Sequence, residues 1–204
     1  MKLIGMLDSP YVRRVAVSLE LYGISFEHQP LSVFRNFTEF AAINPVVKAP
    51  SLVLDDGTVL MDSTLILDYF EALAVPAKKL LPQDPLARTR DLQVIGLALA
   101  ANEKSVQIHY ELNLRPQEKL HAPWLERVTG QLRAAYTQLD RLLAEQPTKC
   151  PSQPLSQAEI STAIAWSFTR YVRPEVVAAS DYPHVQRLAE KIEAHPAMLK
   201  YPIA

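Results

Sequence analysis

Strand signals end at Met61, and beyond Leu86 the chain offers helical periodicity alone. This asymmetry restricts its 204 residues to a mixed front part and an all-helical remainder. Lys2 to Leu7 is a short apolar run ending at Asp8-Ser9-Pro10, a helix-start signal with Ser9 as N-cap and Pro10 at the first helical position. The helix that follows sets Val12, Val15, Ala16, Leu19 and Tyr22 on its buried face, leaves Arg13, Arg14 and Glu20 off it, and stops at Gly23. Ile24 to Leu31 reads as a second strand cut short by Pro30, and Thr38 to Ile43 as a short helix. Ser51 to Leu54 and Thr58 to Met61, joined by Asp55-Asp56-Gly57, read as an antiparallel hairpin. A third helix over Thr64 to Leu73 begins with Ser63 near its cap. The expected order is βαβ-αββα.

Pro76, Pro82 and Pro85, interspersed with Lys78, Lys79 and Asp84, make a stiff polar connector. We therefore expect a first domain over 1–76, a linker over 77–85 and a helical domain over 86–204. Leu86 to Leu114 is Ala- and Leu-rich and free of proline. A second long helix carries Leu125, Val128, Leu132, Ala135, Leu139 and Leu142 at threes and fours. Pro147 to Pro154 breaks the pattern. Ser156-Gln157-Ala158-Glu159 is a capping box that opens the next helix, and a last one runs from about Tyr182 to Ala194 with Val185, Leu188 and Ile192 buried.

Lys plus Arg at 21 against Asp plus Glu at 22 leaves a net charge of -1, which removes the electrostatic motive for binding nucleic acid or an anionic membrane. Small-molecule partners are favoured instead. A single cysteine, Cys150, in the Pro-rich break, rules out an intrachain disulfide and a Cys-rich metal site and points to a reducing compartment. The N-terminal apolar run is too short for a signal-peptide core or a membrane span, so a cytoplasmic protein is expected. His109, His121 and the other histidines show no metal spacing, and no metal is expected.

Three segments taken together are more specific than any one. Ser9-Pro10-Tyr11-Val12-Arg13-Arg14-Val15, then Asn44-Pro45 with Lys48-Ala49-Pro50, then Asp62-Ser63, resemble in order and spacing the catalytic, cis-proline and γ-glutamyl-binding segments of cytosolic glutathione transferases with a bacterial, serine-type site. Leu80 to Pro85 resembles that family's linker and Ser156 to Glu159 its capping box, so the resemblance covers essentially the whole chain. It implies an α/β thioredoxin-like N-terminal domain followed by an all-α helical C-terminal domain. It also implies glutathione as co-substrate, a small apolar electrophile as second substrate, and a homodimer.

The resemblance assigns Ser9 as the catalytic residue, a hydrogen-bond donor that holds glutathione as the thiolate at a helix N-terminus. Taken alone, Ser9-Pro10 is explained by helix capping. A serine here, where glutaredoxin-like relatives carry cysteine, disfavours disulfide exchange through residue 9. The backbone of Ala49, ahead of Pro50, is implied to bind the cysteinyl part of glutathione, and Lys48 its glycyl carboxylate, although Lys48 also reads as a solvated surface lysine. Ser63 and Asp62 are implied to bind the γ-glutamyl carboxylate and ammonium, with Asp62 one methylene shorter than the glutamate common there. A plain helix cap accounts for Ser63 but not for the acid beside it. Tyr11, Phe34, Tyr110 and Trp166 are candidates for the electrophile pocket, with core packing the ordinary role for Phe34 and Trp166. Two non-catalytic readings stay open: a ligand carrier, and a regulatory protein resembling the stringent starvation protein.

Overall fold

In the computed structural model, which describes residues 1–145 and 154–203, β1 (Lys2–Ile4) runs between two partners in a four-stranded sheet ordered β2-β1-β3-β4. It pairs in parallel with β2 (Glu27–Gln29) and antiparallel with β3 (Ser51–Val53), which pairs antiparallel with β4 (Val59–Met61). A parallel pair needs a crossover, and α1 (Pro10–Tyr22) supplies it. Leu3 and Ile4 are consecutive, so they point to opposite faces, and both are fully buried. The sheet is therefore covered on both sides, as a thioredoxin-like arrangement requires. α2 (Phe37–Ile43) precedes β3, and α3 (Ser63–Leu73) follows β4 directly. The hairpin, the order βαβ-αββα and the Gly23 stop, with φ 77° at the C-cap of α1, follow the sequence reading.

α1 departs from that reading. Arg13 and Arg14, assigned off the buried face, are both buried, because the sides they occupy are covered by protein rather than water. Arg13 Nε donates to the Tyr201 carbonyl at 2.8 Å, and Arg14 reaches the start of α3.

The domain boundaries also differ from expectation. The chain divides into one unit comprising Met1–Leu81 with Ala194–Ala204, and a second comprising Pro82–Glu193. The break falls after Leu81 because the buried Glu71 carboxylate accepts from the Leu80 and Leu81 backbone N–H groups at 3.0 and 3.2 Å, and from the Tyr22 hydroxyl at 2.8 Å. The first stretch of the expected linker is thus bonded into the first unit. The C-terminal residues return to it through α8 (Pro196–Lys200), an element that hydrophobic periodicity does not mark in the sequence. Met198 is fully buried, and Lys200 pairs with Glu20 at 2.8 Å.

The second unit holds α4 (Pro85–Leu114), α5 (Ala122–Ala144), α6 (Gln157–Val172) and α7 (Pro183–Glu193). α6 is almost wholly buried and packs on α4 and α7. Its capping box is formed: Ser156 Oγ accepts from Glu159 N at 3.3 Å, and Glu159 Oε2 from Ser156 N at 2.8 Å. Cys150 and most of the Pro147 to Pro154 break lie outside the described residues.

Candidate functional site

Ser9 closes the loop between β1 and α1. Its backbone is extended, and its Oγ accepts from Val12 N at a long 3.4 Å. A hydroxyl that accepts in this way keeps its own proton to donate, so capping α1 and donating to a sulfur are compatible roles for one side chain. Gly5 brings this loop against the residue before Pro50. Its φ is 137°, and a Cβ built there would lie 2.5 Å from Val12 Cγ2 and 3.2 Å from Ala49 Cβ. Only glycine tolerates both the angle and the approach.

The Ala49-Pro50 peptide is cis, as the resemblance implied. The loop carrying it is organised by Asn44, a buried residue quoted above in the cis-proline segment but given no side-chain role there. Asn44 Oδ1 accepts from Val46 N at 3.0 Å, and its Nδ2 donates to Ser51 Oγ at 2.8 Å, which in turn donates to the Lys48 carbonyl at 2.7 Å. Val47 within this loop has φ 51°, a left-handed conformation that costs a β-branched residue about 1 to 2 kcal/mol. The surrounding bonds hold it there.

The cap of α3 is Asp62 and not Ser63, near which the sequence reading placed it. Asp62 is the N-cap of α3, its Oδ1 accepting from Thr64 N at 2.9 Å, and Ser63 is the first helical residue. Lys48 Nζ lies 3.5 Å from Asp62 Oδ2, with both side chains about half exposed. The two charges expected to meet opposite ends of a ligand therefore meet each other, in a pair worth at most about 1 kcal/mol in water. Ser63 is 1% exposed, and its Oγ accepts from Arg14 Nη1 at 3.2 Å; the same nitrogen donates to Thr64 Oγ1 at 3.2 Å. Burial draws the Arg14 pKa down to about 10, against the opposing pull of Asp62, so the guanidinium remains charged at neutral pH. Arg14 is the member of this bonded group least visible in the sequence, where it has the pattern of a solvated helix position.

The pocket candidates separate. In the first unit Tyr11 is half-buried, whereas Phe34 is 56% exposed and does not have the core role expected of it. In the second unit Tyr110 is exposed, and Trp166 is buried among Tyr136 and Tyr182 with its Nε1 donating to Gln186 Oε1 at 2.6 Å. Trp166 is thus a core residue with its one polar group satisfied.

Fold and site together define a thioredoxin-like unit with a helix-start serine, followed by a helical unit. A family model described as glutathione S-transferase, N-terminal domain, matches residues 3–78. The chain is 28% identical over 192 residues to the uncharacterized GST-like protein YibF of Escherichia coli K12, covering 94% of this chain and 93% of that protein. It is also 28% identical over 213 residues to maleylacetoacetate isomerase of Pseudomonas aeruginosa, covering 97% and 93%. A crystal structure of a glutathione transferase family member from Pseudomonas fluorescens Pf-5, with bound glutathione, is 31% identical with a TM-score of 0.84, covering 100% of this chain and 98% of that one. The chain belongs to the glutathione transferase family. Among the described residues no group of three or more His, Cys, Asp or Glu is placed to hold a metal ion, and no helix is long and apolar enough to cross a membrane.

Proposed function

We propose that this chain is a glutathione transferase in which Ser9 stabilises the glutathione thiolate for attack on small apolar electrophiles. The observation that carries the reading is the gathering, within one unit, of the Ser9 helix start, the Ala49-Pro50 segment and the adjoining Lys48 and Asp62 charges. The 31% identical relative with bound glutathione supports it. Glutathione at about a hundredfold above its Kd stabilises the native state by ~2.7 kcal/mol. For a chain of this size that corresponds to a Tm rise of roughly 5 to 10 °C. Calorimetry with millimolar glutathione showing neither heat nor a thermal shift would remove the proposal. Conjugation to an aryl halide tests turnover, and binding without conjugation would favour a ligand carrier. The similarity to maleylacetoacetate isomerase favours a second reading, glutathione-dependent isomerisation, which is separated by assaying that substrate directly.

We further propose a homodimer. Leu65, Tyr69 and Leu73 recur every four residues along α3 and are exposed, an apolar stripe that a partner subunit would cover. Sedimentation equilibrium at micromolar concentration is expected to return twice the mass of one chain, and the mass of a single chain would refute the dimer.

A further inference from the structure

Resting on the glutathione reading, we propose that His28 is a positioning residue for thiol activation: its ring holds the Gly5 carbonyl and so fixes the loop that presents Ser9. The parallel ladder between β1 and β2 explains why a side chain is needed there. Glu27 N donates to the Met1 carbonyl at 3.1 Å, and Gly5 N donates back to the Gln29 carbonyl at 3.0 Å. Continued at alternate residues, the same ladder would bring Leu31 N to the Gly5 carbonyl. Leu31 N instead turns back onto the Gln29 carbonyl at 2.9 Å, and Pro30 has no N–H to offer. His28 Nε2 takes that place, 2.8 Å from the Gly5 carbonyl oxygen. A carbonyl only accepts, so Nε2 carries a proton and donates it, in the neutral ring as in the charged one.

The bond sits where the chain is least able to hold its own course. Gly5 is buried and is the first residue beyond β1, and a glycine offers little resistance to rotation of the peptide that follows it. A buried carbonyl without a donor is unfavourable, so without His28 the Gly5 carbonyl would swing toward water. The peptide that swings joins Gly5 to Met6, and the Met6 carbonyl accepts from Ser9 N at 3.2 Å. Ser9 Oγ accepts from Val12 N at 3.4 Å. Both Ser9 bonds are at the long end of the range, so local contacts fix the hydroxyl weakly and its aim follows the anchor at Gly5. Misplacing a catalytic group by about 1 Å is enough to cost up to about a hundredfold in rate.

The test compares the wild-type chain with His28→Leu, His28→Gln, Ser9→Ala and the double variant His28→Leu with Ser9→Ala. For each, the thiolate absorbance of bound glutathione is titrated against pH, and turnover of an aryl halide at saturating glutathione, the glutathione Kd and the thermal midpoint are measured. His28→Leu is expected to raise the bound-thiol pKa by about half a unit and to lower saturating turnover at neutral pH by about three- to tenfold. The Kd should stay within about threefold, because the contacts expected to hold glutathione lie on Lys48, Asp62 and Ser63. His28→Gln should recover most of both losses, since its amide nitrogen can stand where Nε2 stands and donate to Gly5. Added to Ser9→Ala, His28→Leu should leave the thiol pKa unmoved, because no hydroxyl remains to be aimed. A folded His28→Leu with the wild-type titration and turnover overturns the proposal, whatever its thermal midpoint. So does a His28→Gln no better than His28→Leu, or a His28→Leu effect undiminished in the Ser9→Ala background. Should His28→Leu not fold, His28→Asn, polar but too short to reach the Gly5 carbonyl, is read by the same criteria. A wild-type chain that binds no glutathione defeats the functional reading and this proposal with it, and that is seen before any His28 variant is made.

Discussion

Asp62→Ala combined with Ser63→Ala is expected to weaken glutathione binding by about 2 to 4 kcal/mol, since two charge-assisted contacts to the γ-glutamyl group would be lost. In a calorimetric titration that is a rise in Kd of roughly 30- to 1000-fold. The size of the effect depends on what the ligand must displace. Lys48 and Asp62 face each other at 3.5 Å and are both half exposed, so releasing Asp62 to an incoming ammonium gives up little. Lys48 is then free for a ligand carboxylate. Asp62→Ala alone should cost less than its share of the pair, because it also frees Lys48 from its existing partner, and the single variants should therefore not sum to the double. Asp62 caps α3 through Thr64 N, so the double variant also loses about 1 kcal/mol of stability, and binding is compared well below its melting temperature. A folded double variant with an unchanged Kd would mean that the γ-glutamyl group sits elsewhere.

Features written in local chemistry are legible in the amino-acid sequence itself. Ser9 before Pro10, Gly23, the Asp55-Asp56-Gly57 turn and the Ser156 to Glu159 capping box each specify their backbone within a few residues, and each forms where its residues stand. What is not legible there depends on parts of the chain distant in sequence. Arg14 has the pattern of a solvated residue because hydrophobic periodicity cannot register that α3 comes to lie over it, 49 residues later. Arg13 misleads for the same reason, since the covering backbone at Tyr201 is 188 residues away. Asn44 has the composition of a loop residue, and only the fold turns its amide inward onto Ser51. The domain boundary differs from the proline pattern because proline content marks stiffness, whereas the attachment of Leu80 and Leu81 is decided by Glu71.

Ser9→Ala should raise the pKa of bound glutathione by about one unit. One hydrogen bond to a charged acceptor is worth roughly 1.5 to 3 kcal/mol, of which the backbone donors of the helix start recover part. The ordinary thiol pKa, about 8.5, already lies above neutrality, so a site that lowers it gains thiolate in direct proportion. Turnover at neutral pH should fall by one to two orders of magnitude, through the smaller thiolate fraction and the loss of a donor aimed at sulfur. Glutathione affinity should change little, because the contacts expected to hold it belong to Asp62, Ser63 and the backbone of Ala49. Loss of the cap is the competing explanation for any defect, and the long 3.4 Å bond from Val12 N limits it to about 1 kcal/mol or less of stability. The two effects have different signatures. A capping defect lowers the melting temperature and leaves the thiol titration in place, whereas a thiolate defect moves the titration of the ligand absorbance while the folded population is unchanged. Superimposable titrations with equal conjugation rates would leave Ser9 as a cap only, and would transfer thiol activation to another donor, with the half-buried Tyr11 two residues on as the first to test.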